Sequence, residues 1–341
     1  MAAAMADQVN SSRPGSMSAP ARPSDRVDAG RWWDVAEASS DAVASEAAFV
    51  GRYCRGKIFL FVPNVCDAEC RFCYVSPARV STARLSAGVL RRTVDLMAEL
   101  RHCGLREVRI TGGEPFVFEN LVDLVTALRT ADLDYTVLTN GIRLPRAVPW
   151  LLATRPLKIT VSVHSLRRAD QVFGRPVMIE QTVAAIAALA AAGIGVSATV
   201  VCLPDVIAEI PETLARLYRA GVREYKLIHA NDSRYRVGIE TFRAVAERAR
   251  EALPPDSRLR FSDTAETSCL LTRQGELSVA LPRFEWSSCC ATVGETSLGT
   301  ATTRREFGRV TLALREQLSG IIGLPCSNQG FCPIALTELE K

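Results

Sequence analysis

Three cysteines stand close together in Cys66-Asp67-Ala68-Glu69-Cys70-Arg71-Phe72-Cys73, a C-x3-C-x2-C spacing directly after the apolar run Lys57 to Val65. A loop of that length can put three thiolates around one metal centre. Three is the informative number, because iron-sulfur clusters are commonly held by four cysteines and a cluster with three protein ligands keeps one iron open. Structural zinc usually takes four protein ligands in paired C-x2-4-C units, and no partner pair lies nearby. Zinc and plain thiols stay as the alternatives.

Further residues suited to chemistry stand at the ends of apolar segments downstream. In Thr111-Gly112-Gly113-Glu114-Pro115 the glycines let backbone approach a ligand, and the Glu114 carboxylate can accept from an ammonium; a tight turn accounts for the same residues. In Thr160-Val161-Ser162-Val163-His164-Ser165, strand alternation puts Ser162 and His164 on one face. Cys202 can donate hydrogen from its thiol or serve as a small buried hydrophobe. In Tyr225 to Asp232, His229 and Asn231 share a face and are expected to contact substrate, followed by Arg234 and Arg236, which can hold an anion. Lys226 within that segment is expected to snorkel from an edge strand.

The C-x3-C-x-aromatic-C pattern, with Phe72 as the aromatic residue and Gly112-Gly113-Glu114 one strand later, resembles the radical S-adenosylmethionine (SAM) superfamily, in particular its MoaA-like and SPASM/twitch-type members. The resemblance implies that Cys66, Cys70 and Cys73 hold a [4Fe-4S] cluster whose open iron chelates SAM. Reductive cleavage of SAM then yields a 5'-deoxyadenosyl radical. It also implies that Glu114 receives the amino group of SAM and that Ser162 contacts its ribose. Many relatives carry Asp where this chain has His164. Phe173-Gly174-Arg175 is similar to the loop that follows in the family, and Arg175 would pair with a carboxylate of SAM or substrate. His164, His229 and Cys202 are the candidates for contact with the reacting substrate. A reducing partner such as flavodoxin or ferredoxin is implied as well.

These residues need a scaffold. Segments of strand character alternate with helical ones from Lys57 to about Leu253: Lys57–Pro63, Glu107–Thr111, Tyr135–Thr139, Lys158–Val163, Ile194–Val201 and Tyr225–His229 as strands. Ser86 is expected to cap the first helix, with Leu90, Val94, Met97 and Leu100 on one face, and Gly193 to stop the Ala-rich helix Ile179 to Ala192. Such alternation predicts an α/β fold with a parallel sheet. The resemblance narrows this to a partial (β/α)6 TIM-like barrel with a small Cys-rich C-terminal extension. The expected divisions are a disordered segment over 1–46, the barrel over 47–253 and the extension over 254–341.

In the extension, a hairpin is expected between Cys269 and Cys289, turning at Gln274-Gly275 with Leu277 to Leu281 behind it. One cysteine, a hairpin, a second cysteine and a later pair resemble the twitch type of extension, which implies an auxiliary [4Fe-4S] cluster held by Cys269, Cys289, Cys326 and Cys332. The spacing is not the strict SPASM pattern, so structural zinc and unligated thiols stay open.

Bulk properties set outer limits. The chain has 41 basic and 37 acidic residues, a net charge of +4, 48% hydrophobic and 23% charged residues. That balance argues for neither nucleic acid nor membrane partners. No run of 18 apolar residues and no secretory signal is visible, so a cytoplasmic protein with a small-molecule substrate is expected. Within the family, a radical decarboxylase of a nucleoside uronic acid, of the cytosylglucuronate decarboxylase kind, is the expected activity, in antibiotic or other natural-product biosynthesis. Dehydrogenation of an aminocyclitol or sugar alcohol, peptide maturation, and a non-catalytic iron-sulfur redox role are the alternatives.

Overall fold

The computed structural model describes residues 50, 54–73, 83–230, 233–262, 277–288 and 297–321. All of them fall in one compact unit, Ser40–Lys341. Seven parallel strands follow in chain order: β1 (Lys57–Phe61), β2 (Glu107–Thr111), β3 (Asp134–Thr139), β4 (Lys158–Ser162), β5 (Gly195–Cys202), β6 (Glu224–His229) and β7 (Arg258–Ser262). Two short strands complete the sheet, β8 (Ser278–Ala280) and β9 (Glu285–Ser287), in the order β7-β6-β5-β4-β3-β2-β1-β8-β9. The fold is α/β with a partial parallel barrel as its core, and the C-terminal extension adds strands to that same sheet.

The helices between strands are α1 (Ala87–Arg101), α2 (Leu121–Thr130), α3 (Leu144–Thr154), α4 (Ala169–Phe173), α5 (Ile179–Ala191), α6 (Ile210–Arg219) and α7 (Ile239–Ala252), with α8 (Arg304–Ile321) after β9. Ser86 caps α1, its hydroxyl accepting from the Val89 N–H at 3.3 Å. The buried face of α1 is Thr93, Leu96, Met97 and Leu100, rotated slightly from the expected one, so that Leu90 and Val94 are only partly buried. Gly193 takes a φ of 77° just past α5, where a side chain would be strained.

The strands present two unlike faces. Ile58, Leu60, Val108, Ile110, Tyr135 and Val137 are fully buried in the main core with the helices, as are Ile159, Val161, Val200 and Leu227. On the opposite, concave face Thr160, Ser162, Ser197, Thr199 and Glu224 are half-buried and Lys226 is exposed. Alternation in the sequence thus separates a dry helical side from a polar one that can hold a ligand.

Three expectations are corrected. The strand-helix rhythm does not stop near residue 254: Arg258-Leu259-Arg260-Phe261-Ser262 continues it as β7, parallel to β6, so Lys226 lies in an internal strand and not at an edge. The hairpin is displaced as well, because Ser278–Ala280 forms its first strand and Leu281–Phe284 its turn; Gln274-Gly275 lies outside the described residues. The physical reason is that the apolar run Leu277 to Leu281 is taken up by the free edge of β1, where Phe59, Leu60 and Phe61 pair in parallel with Ser278, Val279 and Ala280. Helix α3 between β3 and β4 is also additional to the sequence expectation. Among the described residues no helix is long and apolar enough to cross a membrane.

Candidate active site

Strand β1 delivers the chain into the cysteine loop, and the end of β2 fixes that loop from below. The Glu114 N–H donates to the Val65 carbonyl at 2.8 Å, one residue before Cys66. The two glycines make this approach possible. A Cβ on Gly113 would stand 2.2 Å from the Val65 oxygen, and one on Gly112, whose φ is 133°, would stand 2.6 Å from the Val62 oxygen. Close contact here is backbone against backbone, with the loop itself as the neighbour that demands glycine.

A second set of contacts closes over Asp67. Its Oδ1 accepts from Asn140 Nδ2 at 2.9 Å and its Oδ2 from Arg143 Nε at 2.7 Å. The same Asn140 nitrogen lies 3.8 Å from Cys66 Sγ, and the Ala68 N–H donates to that sulfur at 3.4 Å. The Glu69 N–H donates to the Phe173 carbonyl at 2.8 Å, and a Cβ on Gly174 would meet the Glu69 oxygen at 2.8 Å. Arg175 is exposed and donates to the Asp67 carbonyl, so it braces the loop. On the other flank Arg71 pairs with Asp205 at 2.5 Å and lies 5.4 Å from the Tyr235 ring. Cys66, Cys70 and Cys73 are half-buried, and none is in a disulfide.

Glu114 is the buried carboxyl beside this loop, 1% exposed. It accepts from the Phe116 N–H at 3.0 Å, the Thr139 hydroxyl at 2.7 Å and the Asn140 N–H at 2.7 Å. Burial outweighs those three bonds and pushes its pKa up to about 7, with the nearby Asp67 charge adding to the rise.

Phe72 meets the His164 ring edge-on, with centroids 5.1 Å apart, and packs against the small buried cluster of Val172, Val201, Leu203, Val206 and Ala230. His164 is buried, and its Nδ1 accepts from the Val201 N–H at 3.0 Å, which leaves the proton of the neutral ring on Nε2. Burial pulls its pKa down to about 4, so the ring is neutral at physiological pH.

Residues 60–217 match the radical SAM superfamily. That match covers just under half of the chain. Over 143 residues it is 32% identical to a GTP 3',8-cyclase of Paenarthrobacter nicotinovorans, covering 40% of this chain and 39% of that protein. Over 169 residues it is 31% identical to a GTP 3',8-cyclase of Erythrobacter litoralis, covering 48% and 50%. The chain spans between a third and a half of the length of the curated relatives it matches. Among solved structures, SuiB of Streptococcus suis bound to S-adenosylmethionine aligns at TM-score 0.58 and 15% identity, covering 72% of this chain and 63% of that one. anSMEcpe with bound AdoMet aligns at TM-score 0.58 and 11% identity, covering 82% and 83%. These structures share the fold.

Several sequence candidates lie off the concave face of the sheet. Cys202 ends β5 in the main hydrophobic core with 0% exposure, and burial pushes its thiol up to about 12; a substrate on the concave face does not reach it. His229 is buried against α7, its ring 4.9 Å from Phe242 and its Nε2 2.6 Å from the Val237 carbonyl. Arg236 donates to the Ala230 carbonyl and Arg234 lies over Tyr235, so both are engaged with their own loop. Ser162 does lie on the concave face, half-buried at the end of β4. Asn231, Cys269, Cys289, Cys326 and Cys332 lie outside the described residues. Asp67, Asn140 and Arg143 are the participants that sequence reasoning passed over. In the sequence Asn140-Gly141 reads only as a turn signal that ends the third strand, and its position at the end of β3, one strand beyond Gly112-Gly113-Glu114, is the signal that points to the loop.

Proposed function

We propose that this chain is a radical SAM enzyme in which Cys66, Cys70 and Cys73 hold a [4Fe-4S] cluster and Glu114, Phe72 and Ser162 receive SAM. The observation that carries the reading is the seating of the three-cysteine loop directly on the Gly112-Gly113-Glu114 strand end, through the Glu114 N–H to Val65 bond. The donor set suits the group: three undisulfided, half-buried thiols with amide protons directed at Cys66 Sγ. Among the described residues no three His, Cys, Asp or Glu side chains gather tightly enough for a single ion. A cluster takes each thiolate on a different iron, so its ligands need not converge on one point.

When bound, the cluster and SAM supply a 5'-deoxyadenosyl radical. The chain's own part is to orient and to exclude water. The Asp67 contacts to Asn140 and Arg143 hold the loop, and the Glu114 carboxylate is placed to accept from the ammonium of SAM once its proton is lost. Phe72 and the His164 ring build an apolar wall beside it. The polar concave face of β4 to β6 suits a small, hydroxylated, sugar- or nucleoside-like substrate.

Our reading of the reaction is radical decarboxylation of a nucleoside uronic acid such as cytosylglucuronic acid, with a flavodoxin or ferredoxin as electron donor. We take the strands from β1 to β7, ending at Ser262, as the catalytic unit, and the residues after it as an extension whose Cys269, Cys289, Cys326 and Cys332 hold an auxiliary [4Fe-4S] cluster. The test is iron, sulfide and 5'-deoxyadenosine on anaerobically reconstituted protein, wild type against Cys66→Ala/Cys70→Ala/Cys73→Ala. About eight irons falling to about four, with loss of SAM cleavage, supports both clusters. About four falling to near zero keeps the radical SAM reading and sinks the auxiliary cluster. A wild type that releases no 5'-deoxyadenosine overturns the enzyme reading and leaves a non-catalytic iron-sulfur protein.

A further inference from the structure

The concave face between β4 and β7 carries an excess of positive charge that the folding of the sheet does not require. Pairing in register aligns Ser162 with Thr199, Thr199 with Lys226 and Lys226 with Arg260, so these four side chains form one row on one face. The row below it, Thr160, Ser197, Glu224 and Arg258, is aligned in the same way. Its Thr160 and Ser197 hydroxyls lie 2.9 Å apart. On this face of the four strands the acidic residue is Glu224, against Lys158, Lys226, Arg258 and Arg260.

Glu224 is already engaged, its carboxylate 2.5 Å from Lys158 Nζ. Burial alone would raise its pKa, yet the Lys158 hydrogen bond and the charges of Lys158, Arg260 and Arg258 hold its carboxyl below the ordinary range. Glu224 thus faces three of the cations, Arg260 has a further interaction of its own, and Lys226 is left over. Among the described residues Lys226 makes no hydrogen bond or ion pair. It stands directly across from Arg260, and like charges opposite one another on neighbouring strands are destabilising. Solubility at a sheet edge does not explain the arrangement, because β6 lies between β5 and β7. Both cations are exposed on the side away from the helices, and hydroxyls continue the row to Ser162 at the end of β4.

We infer that Lys226 and Arg260 form an anion-binding subsite, which takes the carboxylate or phosphate of a small-molecule ligand while Thr199 and Ser162 meet its hydroxylated part. The paired cations are relieved of their repulsion when an anion stands between them, and each forms a charge-assisted hydrogen bond to it. The inference rests on the radical SAM reading for the identity of the occupant as substrate; the charge arrangement itself does not depend on that reading.

Calorimetric titration of the anaerobic, SAM-loaded full chain tests it with three probes: cytosylglucuronic acid for a carboxylate, cytidine 5'-monophosphate for a phosphate, and cytidine as the uncharged control. The expected result is that one or both anions bind wild type, that Lys226→Met weakens that binding about tenfold or more, and that Lys226→Arg stays within about threefold. Cytidine binding stays the same in all of them. Arg260→Gln is the second variant, with circular dichroism of each to establish folding, and loss of anion binding in either folded variant supports the subsite. Which anion responds assigns carboxylate or phosphate. Equal anion affinity in wild type and both variants, an equal loss for cytidine, or no anion binding to wild type overturns the proposal. Release of 5'-deoxyadenosine is measured on the same samples. If it persists while the anion arm fails, the subsite alone is wrong; if wild type never releases it, the enzyme reading is wrong whatever the anions do.

Discussion

At the scale of single residues, Glu114 sets a pH dependence that its position makes readable. Its pKa rises from 4.5 to about 7 because burial outweighs three hydrogen bonds. The folded chain therefore keeps a proton that the unfolded chain releases near 4.5, so stability falls as pH climbs from there to about 7 and levels off above. The total is on the order of 3 kcal/mol. A bound ammonium reverses the preference, since the carboxylate is the form that accepts from it. SAM binding to the anaerobic protein is accordingly expected to tighten about tenfold between pH 6 and pH 8. Glu114→Gln should flatten that profile; a wild-type affinity independent of pH would show that Glu114 does not receive the ammonium. Asp67 leads to a different readout. Asp67→Ala leaves Asn140 Nδ2 without that acceptor, while Arg143, 47% exposed, can turn to solvent, so the loss is about 1 kcal/mol. Iron retained after gel filtration should drop in this variant, with unchanged iron content arguing that the loop holds its shape without Asp67. The cysteines and Gly112-Gly113-Glu114 were legible because their spacing is local. Asp67 was not, because its partners lie more than seventy positions away and only the alignment of β1, β2 and β3 side by side in the sheet brings them together.

Among elements, the strand ends matter through how near their backbones come. Gly113→Ala would place a methyl 2.2 Å from the Val65 carbonyl oxygen, a backbone atom that cannot rotate away. The loop must shift, and overpacking of this kind costs about 1–3 kcal/mol. Urea unfolding should show that loss at an unchanged slope, together with poorer cluster loading; Gly88→Ala at an exposed position of helix α1, where the added Cβ meets nothing closer than 3.7 Å, should be neutral or stabilising. Equal effects of the two would mean that the Gly113 contact carries no strain. Six of the seven parallel strands were readable from hydrophobic runs between turn signals. β7 was not, since Arg258 and Arg260 alternate with only two apolar residues, Leu259 and Phe261. The same two arginines that hide the strand are the ones that charge the concave face.

For the molecule as a whole, the decisive junction is where the C-terminal extension joins the sheet. β8 pairs with β1 over Phe59 to Phe61, immediately before the cysteine loop, and the Leu281 N–H donates to the Phe61 carbonyl at 2.9 Å. The hairpin is held down by Trp286, which is fully buried, lies 4.8 Å from the Phe307 ring and donates from Nε1 to the Ala301 carbonyl at 3.1 Å. Trp286→Ala removes that anchor, and loss of a buried tryptophan costs about 3–5 kcal/mol. Where the cost falls depends on how the sheet coheres. β1 has β2 on its other side, while β8 and β9 are three residues each, so the hairpin is expected to open locally before the barrel does. Hydrogen exchange in Trp286→Ala should therefore speed up at Phe59, whose N–H donates to the Leu277 carbonyl, while amides in β4 to β6 keep their protection. Iron should be lost faster from the same variant, because the edge that positions the cysteine loop has loosened. Uniform acceleration across β1 to β7 would instead make the extension an integral part of one cooperative sheet, and its contribution to the active site would then be inseparable from folding.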